Sequence, residues 1–377
     1  MLLEPSPDQE FFRKTTSRFL ADQVPVSELR RLRDDAVGYG ADYWRRGAEL
    51  GWTSLLVAEE HGGGSISGDG LADLALIAHE FGAHAAPGPL VPTNIAAGAL
   101  SAADAHHELL AGLLDGSSVV SWCHPEGPPH DRLGSVTLEI TQDGDDLVIN
   151  GRKRPVESAD QASHHLVTGR LGEGLGQVLV ACDTPGVSLT AMDGVDLTRR
   201  FSMVTFDDVR VSSSAALGGL GGADEQVERQ LRHALALANA ESIGAMQTAF
   251  DMTVEWAFDR YSFGRPLASY QALKHRFAAM KTWLEASHAI SDEAIAAVSA
   301  DAPDADDLLS AAKAYIGEYG AELLQECVQL HGGIGVTFEH DLHLYLRRGT
   351  LNRALFGTPS EHRLRIADRL ARAEAAA

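Results

Sequence analysis

Arg260, Phe263 and Gln271, followed downstream by Gln329, Gly332 and Gly333, are the residues of this chain whose types and spacing could do chemistry. They fall in two short motifs. One is Arg260-Tyr261-Ser262-Phe263-Gly264 with its trailing Gln271, the other Gln329-Leu330-His331-Gly332-Gly333-Ile334-Gly335. A guanidinium binds phosphate through paired hydrogen bonds, and glycine lets main chain approach a bulky polar ligand without the steric cost of a Cβ. Together the motifs read as a cradle for a cofactor. Taken singly, each has a plainer account, an arginine capping one helix and glycines stopping another. Their occurrence together, in this order, favours the cradle.

Both motifs sit among long helical patterns. From Asp224 onward Val227, Leu231, Leu235, Ile243, Met246, Phe250, Val254 and Phe258 fit one buried helical face, and Leu273, Phe277, Met280 and Leu284 fit another. A third helix carries Leu309, Ala312, Ile316, Leu323, Cys327 and Leu330, with a polar connection over 301–307 before it. Helices of this length predict a bundle over 215–377. Residues 119–214 read as a β domain. Val136, Leu138 and Ile140 alternate, Gln142-Asp143-Gly144-Asp145 and Asn150-Gly151 signal turns, and short apolar runs recur over 165–168, 177–181 and 204–211. Residues 1–118 read as helical. Ser6-Pro7-Asp8-Gln9 supplies an N-cap, a proline at the first helical position and a capping-box glutamine. Further helices are expected over 43–50 and 70–81, separated by a loop at Glu59-Glu60-His61-Gly62-Gly63-Gly64.

Bulk properties exclude some function classes. The 377 residues carry 31 Lys plus Arg against 53 Asp plus Glu, a formal charge of −22, which disfavours a grip on nucleic-acid phosphates. No apolar run approaches the ~20 residues of a membrane span, and the N-terminus lacks a signal pattern, so a cytoplasmic protein is expected. Cys123, Cys182 and Cys327 are scattered and odd in number, consistent with a reducing compartment; Cys327 lies on an apolar helical face. His124 and His130 stand in a proline-rich loop with no third ligand at suitable spacing, so they are read as surface residues and no metal is expected.

The order of helical third, β third and helical bundle, with Arg-x-x-Phe-Gly and Gln-x-x-Gly-Gly-x-Gly in the last, resembles the acyl-CoA dehydrogenase family. The likeness extends to the Glu59-Glu60-His61-Gly62-Gly63 loop after Gly51-Trp52, an Asn150-Gly151-x-Lys153 turn and the run Val204-Thr205-Phe206-Asp207-Asp208-Val209-Arg210-Val211. Glu339-His340-Asp341-Leu342-His343-Leu344-Tyr345-Leu346 is similar to bacterial, especially actinobacterial, members. The resemblance implies a mainly α fold with a β insert: an N-terminal helical domain, a central β-barrel-like domain and a C-terminal four-helix bundle that forms tetramers. It implies FAD as cofactor, an acyl-CoA substrate, and an electron-transfer flavoprotein or similar acceptor. Carried over by position, Arg260 would meet the FAD pyrophosphate, Phe263 would pack near the adenosine, and Gln271, Gln329, Gly332 and Gly333 would complete a cradle for FAD held mainly by a neighbouring subunit.

The chemistry at the other end of the flavin is where the sequence departs. Family members abstract a proton beside the thioester with a glutamate, and a base is indispensable to that step. One branch carries it in a Tyr-Glu-Gly-Thr run, which here is Leu355-Phe356-Gly357-Thr358, with Phe356 in the base position. The isovaleryl-CoA dehydrogenase type carries it on the helix before a glycine matching Gly244, which here puts Ala234 in the base position. Glu241 lies seven residues beyond Ala234, two helical turns on and offset by roughly 10 Å. It is the candidate base of a remodelled site, against the alternative of a buried or interface carboxylate paired with a basic group. The ring-facing Leu-Thr-Glu-Pro pattern becomes Trp122-Cys123-His124-Pro125, and Lys-x-Trp-Ile-Thr becomes Lys153-Arg154-Pro155-Val156-Glu157. An acceptor-only carboxylate at Glu157 cannot replace a donating hydroxyl. The family's coenzyme A-binding Asp-x-x-Arg becomes Arg232-x-x-Leu235, leaving Arg229 and Arg232 as candidate substrate-phosphate ligands or as solvated surface residues.

These features fit an acyl-CoA dehydrogenase subunit whose own base is missing and whose paralogous partner supplies it. The alternatives are a homotetrameric dehydrogenase using Glu241, a noncatalytic scaffold subunit, and a flavin oxidase or monooxygenase of the same fold.

Overall fold

The computed structural model describes residues 5–32, 38–126 and 136–376. The chain opens with α1 (Pro7–Gln23), α2 (Val26–Leu32), α3 (Ala41–Glu49), α4 (Gly70–Ala83), α5 (Leu90–Ala102) and α6 (His107–Leu114). The expected capping box forms at α1, where Ser6 accepts from the Gln9 amide and the Gln9 side chain returns a bond to Ser6. Aromatic rings knit these helices together. Trp52 meets Phe81 edge-on at 5.0 Å and Phe19 at 5.4 Å, and its indole donates to Thr16. Such pairs contribute roughly 0.5–1.5 kcal/mol each beyond burial alone.

The strands β1 (Val120–Cys123), β2 (Glu139–Asp143), β3 (Asp146–Glu157), β4 (His164–Leu171), β5 (Gly174–Ala181), β6 (Val187–Met192), β7 (Phe201–Ser212) and β8 (Ala216–Leu217) make one sheet, ordered β6-β7-β3-β2-β4-β5-β8. β1 and β2 share one edge of β4, both parallel to it: Val120 to Cys123 pair with His164 to Val167, and Glu139 and Ile140 with Arg170 and Leu171. Asn150-Gly151, expected as a turn, lies inside β3 instead. There Gly151 takes φ +138 at a register shift against β7, and the Asn150 side chain accepts from the Asp208 amide, so the pair bends a continuing strand.

The helices α7 (Asp224–Asp259), α8 (Gln271–Ser299), α9 (Ala305–His331), α10 (Leu342–Ala354) and α11 (Pro359–Ala376) follow, with a small hairpin of β9 (Tyr261–Ser262) and β10 (Arg265–Pro266) between α7 and α8. Leu309, Ala312, Ile316, Leu323, Cys327 and Leu330 are all buried on α9 as their spacing predicts. Phe258, placed by its spacing on the buried face of α7, is 64 % exposed at the helix end. α4 and α7 touch main chain to main chain. A Cβ at Gly82 would lie 1.8 Å from the Glu241 carbonyl oxygen, and one at Gly244 1.9 Å from that of His79. This crossing fixes where Glu241 sits. Among the described residues no helix is long and apolar enough to cross a membrane.

Candidate active site and cofactor cradle

The two cradle motifs meet at one end of the bundle. Arg260 caps α7, its guanidinium 5.8 Å over the Trp256 ring, and Trp256 stacks on His331 at 5.3 Å. His331 is held by its Nδ1, which donates to the Cys327 carbonyl at 2.8 Å. α9 then stops at Gly332, whose φ of +67 with ψ −142 is open to glycine and strained for other residues. Added Cβ atoms at Gly332 and Gly333 would meet nothing within 4 Å. Arg260, Gln271 and Gln329 are exposed, and Phe263 is 98 % exposed. A solvent-facing guanidinium, two carboxamides and open glycine backbone fit the diphosphate and adenosine of a dinucleotide presented from outside the chain.

The other end is built differently. A mainly apolar cavity of about 120 Å³ lies where α5, the sheet and the end of α10 converge, walled by Trp122, Pro125, Pro155, Glu157, Phe201 and Phe356. Trp122 and Phe356 stand 6.0 Å apart. Phe356 has φ +56, a conformation uncommon for a bulky residue, and the His362 Nε2 donates to its carbonyl at 2.9 Å. Thr358 and Glu361 then cap α11 reciprocally, which anchors the turn carrying Phe356. Phe356 therefore presents an apolar ring to the cavity, and Ala234 is wholly buried on α7.

Behind the cavity wall lies a buried ion network. Arg199 donates through Nε to Glu157 at 2.6 Å, with Nη2 on the second Glu157 oxygen, and through Nη1 to Glu241 at 3.0 Å and Asn352 at 2.9 Å. Arg348, fully buried, donates to Glu241 at 2.6 Å, to Thr198 at 2.6 Å, to the Ala86 carbonyl at 3.0 Å and to Asp196. The Asn352 amide adds a third donor to Glu241, at 2.9 Å. Burial pushes the Glu157 carboxyl above its ordinary value despite Arg199. Burial acts the same way on Asp196, but Arg348 and the Thr198 amide outweigh it and hold that carboxyl low.

For Glu241 the geometry shows the pairing of the alternative account. Its two oxygens accept three hydrogen bonds from Arg199, Arg348 and Asn352, and Glu241 is not on the cavity wall, so it is the paired, buried carboxylate of the alternative account. His124, expected on the surface, is 6 % exposed and stacked on Trp122 at 5.1 Å; burial lowers it to about 3, so its ring is neutral near pH 7. His130 lies outside the described residues. The Lys153 ammonium beneath donates to the His124 carbonyl at 3.1 Å and to Glu126, which also accepts from the Leu138 amide at 3.0 Å. Cys123 faces the interior of the sheet and burial raises it to about 12, so it is an inert core thiol.

The candidate substrate arginines are separated in their bonding. Arg232 is taken by Asp306 at 2.8 Å and Asp301 at 3.5 Å; Arg229 is exposed and pairs loosely with Glu225 at 3.4 Å. Both line a wide open groove of about 1170 Å³ between α4, α5 and the start of α7, well supplied with carboxylates. Arg199, Arg348, Asn352 and Asp196 escape sequence reasoning because no local pattern links them: Arg199 finds Asn352 across 153 residues and Arg348 finds Glu241 across 107.

Two family models match the chain: "Acyl-CoA dehydrogenase, N-terminal domain" over residues 6–114 and "Acyl-CoA dehydrogenase, C-terminal domain" over residues 221–371. The chain belongs to the acyl-CoA dehydrogenase family. Acyl-CoA dehydrogenases are oxidoreductases acting on the CH–CH bond of acyl-CoA thioesters, and FAD is the family's cofactor. Among relatives, acyl-CoA dehydrogenase IpdE2 of Mycolicibacterium smegmatis is 28% identical over 370 residues, covering 96% of this chain and 98% of its own length. A solved variant of the Tcur3481-Tcur3483 steroid ACAD superposes with a TM-score of 0.87 at 27% identity, covering 97% of this chain and 98% of that one. The ChsE4-ChsE5 complex from Mycobacterium tuberculosis shares the fold, with a TM-score of 0.86 at 21% identity over 98% of this chain and 99% of that one.

Proposed function

We propose that this chain is the base-deficient subunit of a heteromeric, FAD-dependent acyl-CoA dehydrogenase, lending its cradle to a flavin whose ring end and catalytic glutamate belong to a paralogous subunit. One observation supports the reading: the cradle end of the family's flavin site is kept in this chain while the ring end is altered. Arg260, Gln329, Gly332 and Gly333 stand open to solvent, whereas the wall expected beside the flavin ring holds Phe356 and Glu157, the latter paired with Arg199 behind it. The open end fits the diphosphate of FAD. The closed end does not fit its ring, because Glu157 offers it no donor, and Phe356 offers the substrate no proton acceptor.

When bound, FAD supplies the hydride acceptor for α,β-dehydrogenation of the thioester. This chain's residues bind and orient its diphosphate end: Arg260 as a two-pronged phosphate ligand, Gln271 and Gln329 as neutral donors, and Gly332-Gly333 as close main chain. Glu241 fixes α7 and α10 around Arg199 and Arg348. The Tcur3481-Tcur3483 steroid ACAD and the ChsE4-ChsE5 complex are each named for two components, which supports a two-chain assembly and, through the first, a steroid-derived acyl group. Activity with an artificial electron acceptor tests the reading. The chain alone is expected to oxidise no acyl-CoA, while its complex with a glutamate-bearing paralogue turns over; activity of the chain alone overturns it.

A further inference from the structure

We propose that His61, Asp104 and His107 form a surface site for a divalent cation of the zinc class, apart from the flavin cradle and the apolar cavity. No local sequence pattern links His61 to Asp104 and His107, which come from different elements. His61 ends the short 3-10 turn Glu59–His61, Asp104 lies just after α5, and His107 begins α6. The tight link from α5 to α6, with Asp104 at φ +48 and His106 at φ +54, turns Asp104 and His107 back toward His61.

The donor atoms are already spaced for a shared ion. The His61 Nε2 is 3.0 Å from an Asp104 oxygen, the His107 Nε2 is 3.6 Å from the same oxygen, and the three ligand atoms all lie within 4.8 Å of one another. A tetrahedral ion with bonds of about 2.0–2.1 Å holds its ligand atoms about 3.3 Å apart, so small side-chain movements suffice. Two imidazoles and one carboxylate suit zinc and its first-row neighbours better than magnesium or calcium, which prefer all-oxygen sets.

Ser101 supplies the outer contact such sites use. Its Oγ stands 3.1 Å from the His61 Nδ1 and accepts from the Ala58 amide at 3.1 Å. With Nδ1 donating to Ser101, the His61 Nε2 turns a lone pair toward Asp104, an arrangement that a shared cation completes. With the opposite tautomer the same contact is a plain hydrogen bond, and experiment separates the two. Asp104 and His107 side chains are 78% and 65% exposed, so a bound ion keeps an open position toward solvent. The chain's charge of −22 raises the local concentration of cations.

The test is calorimetric titration of zinc chloride into the chelator-treated chain, with cobalt(II) absorption as a second readout of tetrahedral ligation. The expected result is one ion per chain, lost in both His107→Ala and Asp104→Asn, and weakened about 10–100-fold in Ser101→Ala. Asparagine tolerates the left-handed backbone at 104, and both ligand variants are expected to melt at the wild-type temperature without metal. No zinc bound by the wild type, or equal binding by either ligand variant, overturns the proposal.

Discussion

Replacing Glu241 with glutamine separates a structural carboxylate from a catalytic one. The substitution keeps the side-chain volume and removes one charge from a site where Glu241 accepts from Arg199, Arg348 and Asn352. Arg348 is wholly buried, and without Glu241 its remaining charged partner is Asp196. Breaking a buried pair by removing one partner costs about 3–5 kcal/mol. With an unfolding entropy of about 2.1 cal/mol/K per residue, 377 residues give about 0.8 kcal/mol/K, so Glu241→Gln should lower Tm by about 4–6 °C. Turnover per flavin in the assembled complex should stay within about tenfold of wild type, whereas losing a general base costs about 10²–10⁴-fold. Differential scanning calorimetry and steady-state turnover on the same preparation check both halves. A variant that melts at the wild-type temperature but loses two or more orders of magnitude in rate would refute the reasoning and return Glu241 to the catalytic role.

Three further outcomes follow from particular contacts. Gly333→Leu should leave the melting temperature unchanged, because its Cβ meets nothing within 4 Å, yet reduce the FAD retained by the assembly on gel filtration. Lys153→Met should cost at most about 3–5 kcal/mol in chemical denaturation, since Glu126 keeps the Thr137 and Leu138 donors; an unchanged midpoint would show that the pair contributes nothing. For Asp306, burial opposes ionisation but hydrogen bonds from Arg232 and Arg369 outweigh it, so its folded pKa lies below the ordinary carboxylate value. Its stabilising contribution is present above the unfolded pKa and lost as pH falls through the folded one. Between about pH 5 and about pH 3 the wild type should therefore lose more stability than Asp306→Asn, measured by urea midpoints.

What the sequence made legible was local. The Ser6 to Gln9 capping box, the apolar spacing on α9 and the Arg260 and Gly332-Gly333 motifs each lie within a few turns of chain, where geometry follows directly from spacing. Phe356 and Ala234 are equally plain as side chains without an acid, because that needs no partner to be recognised. The ion network was not legible, since its members come from β3, the segment before β7, α7 and α10 and acquire meaning only when packed. His124 was misplaced for a related reason: a proline-rich loop looks exposed until Trp122 covers one side and Lys153 holds its carbonyl from below. His61, Asp104 and His107 escaped because a loop from one end of the N-terminal helices meets a turn from another.

The measurement that tests the central claim most directly is the ratio of FAD to chain. Purified alone, this chain should carry no stoichiometric flavin; copurified with a paralogous subunit that bears a glutamate at the position of Phe356 or Ala234, the assembly should hold one FAD for each pair of unlike chains. One FAD per chain in the isolated protein would contradict the account.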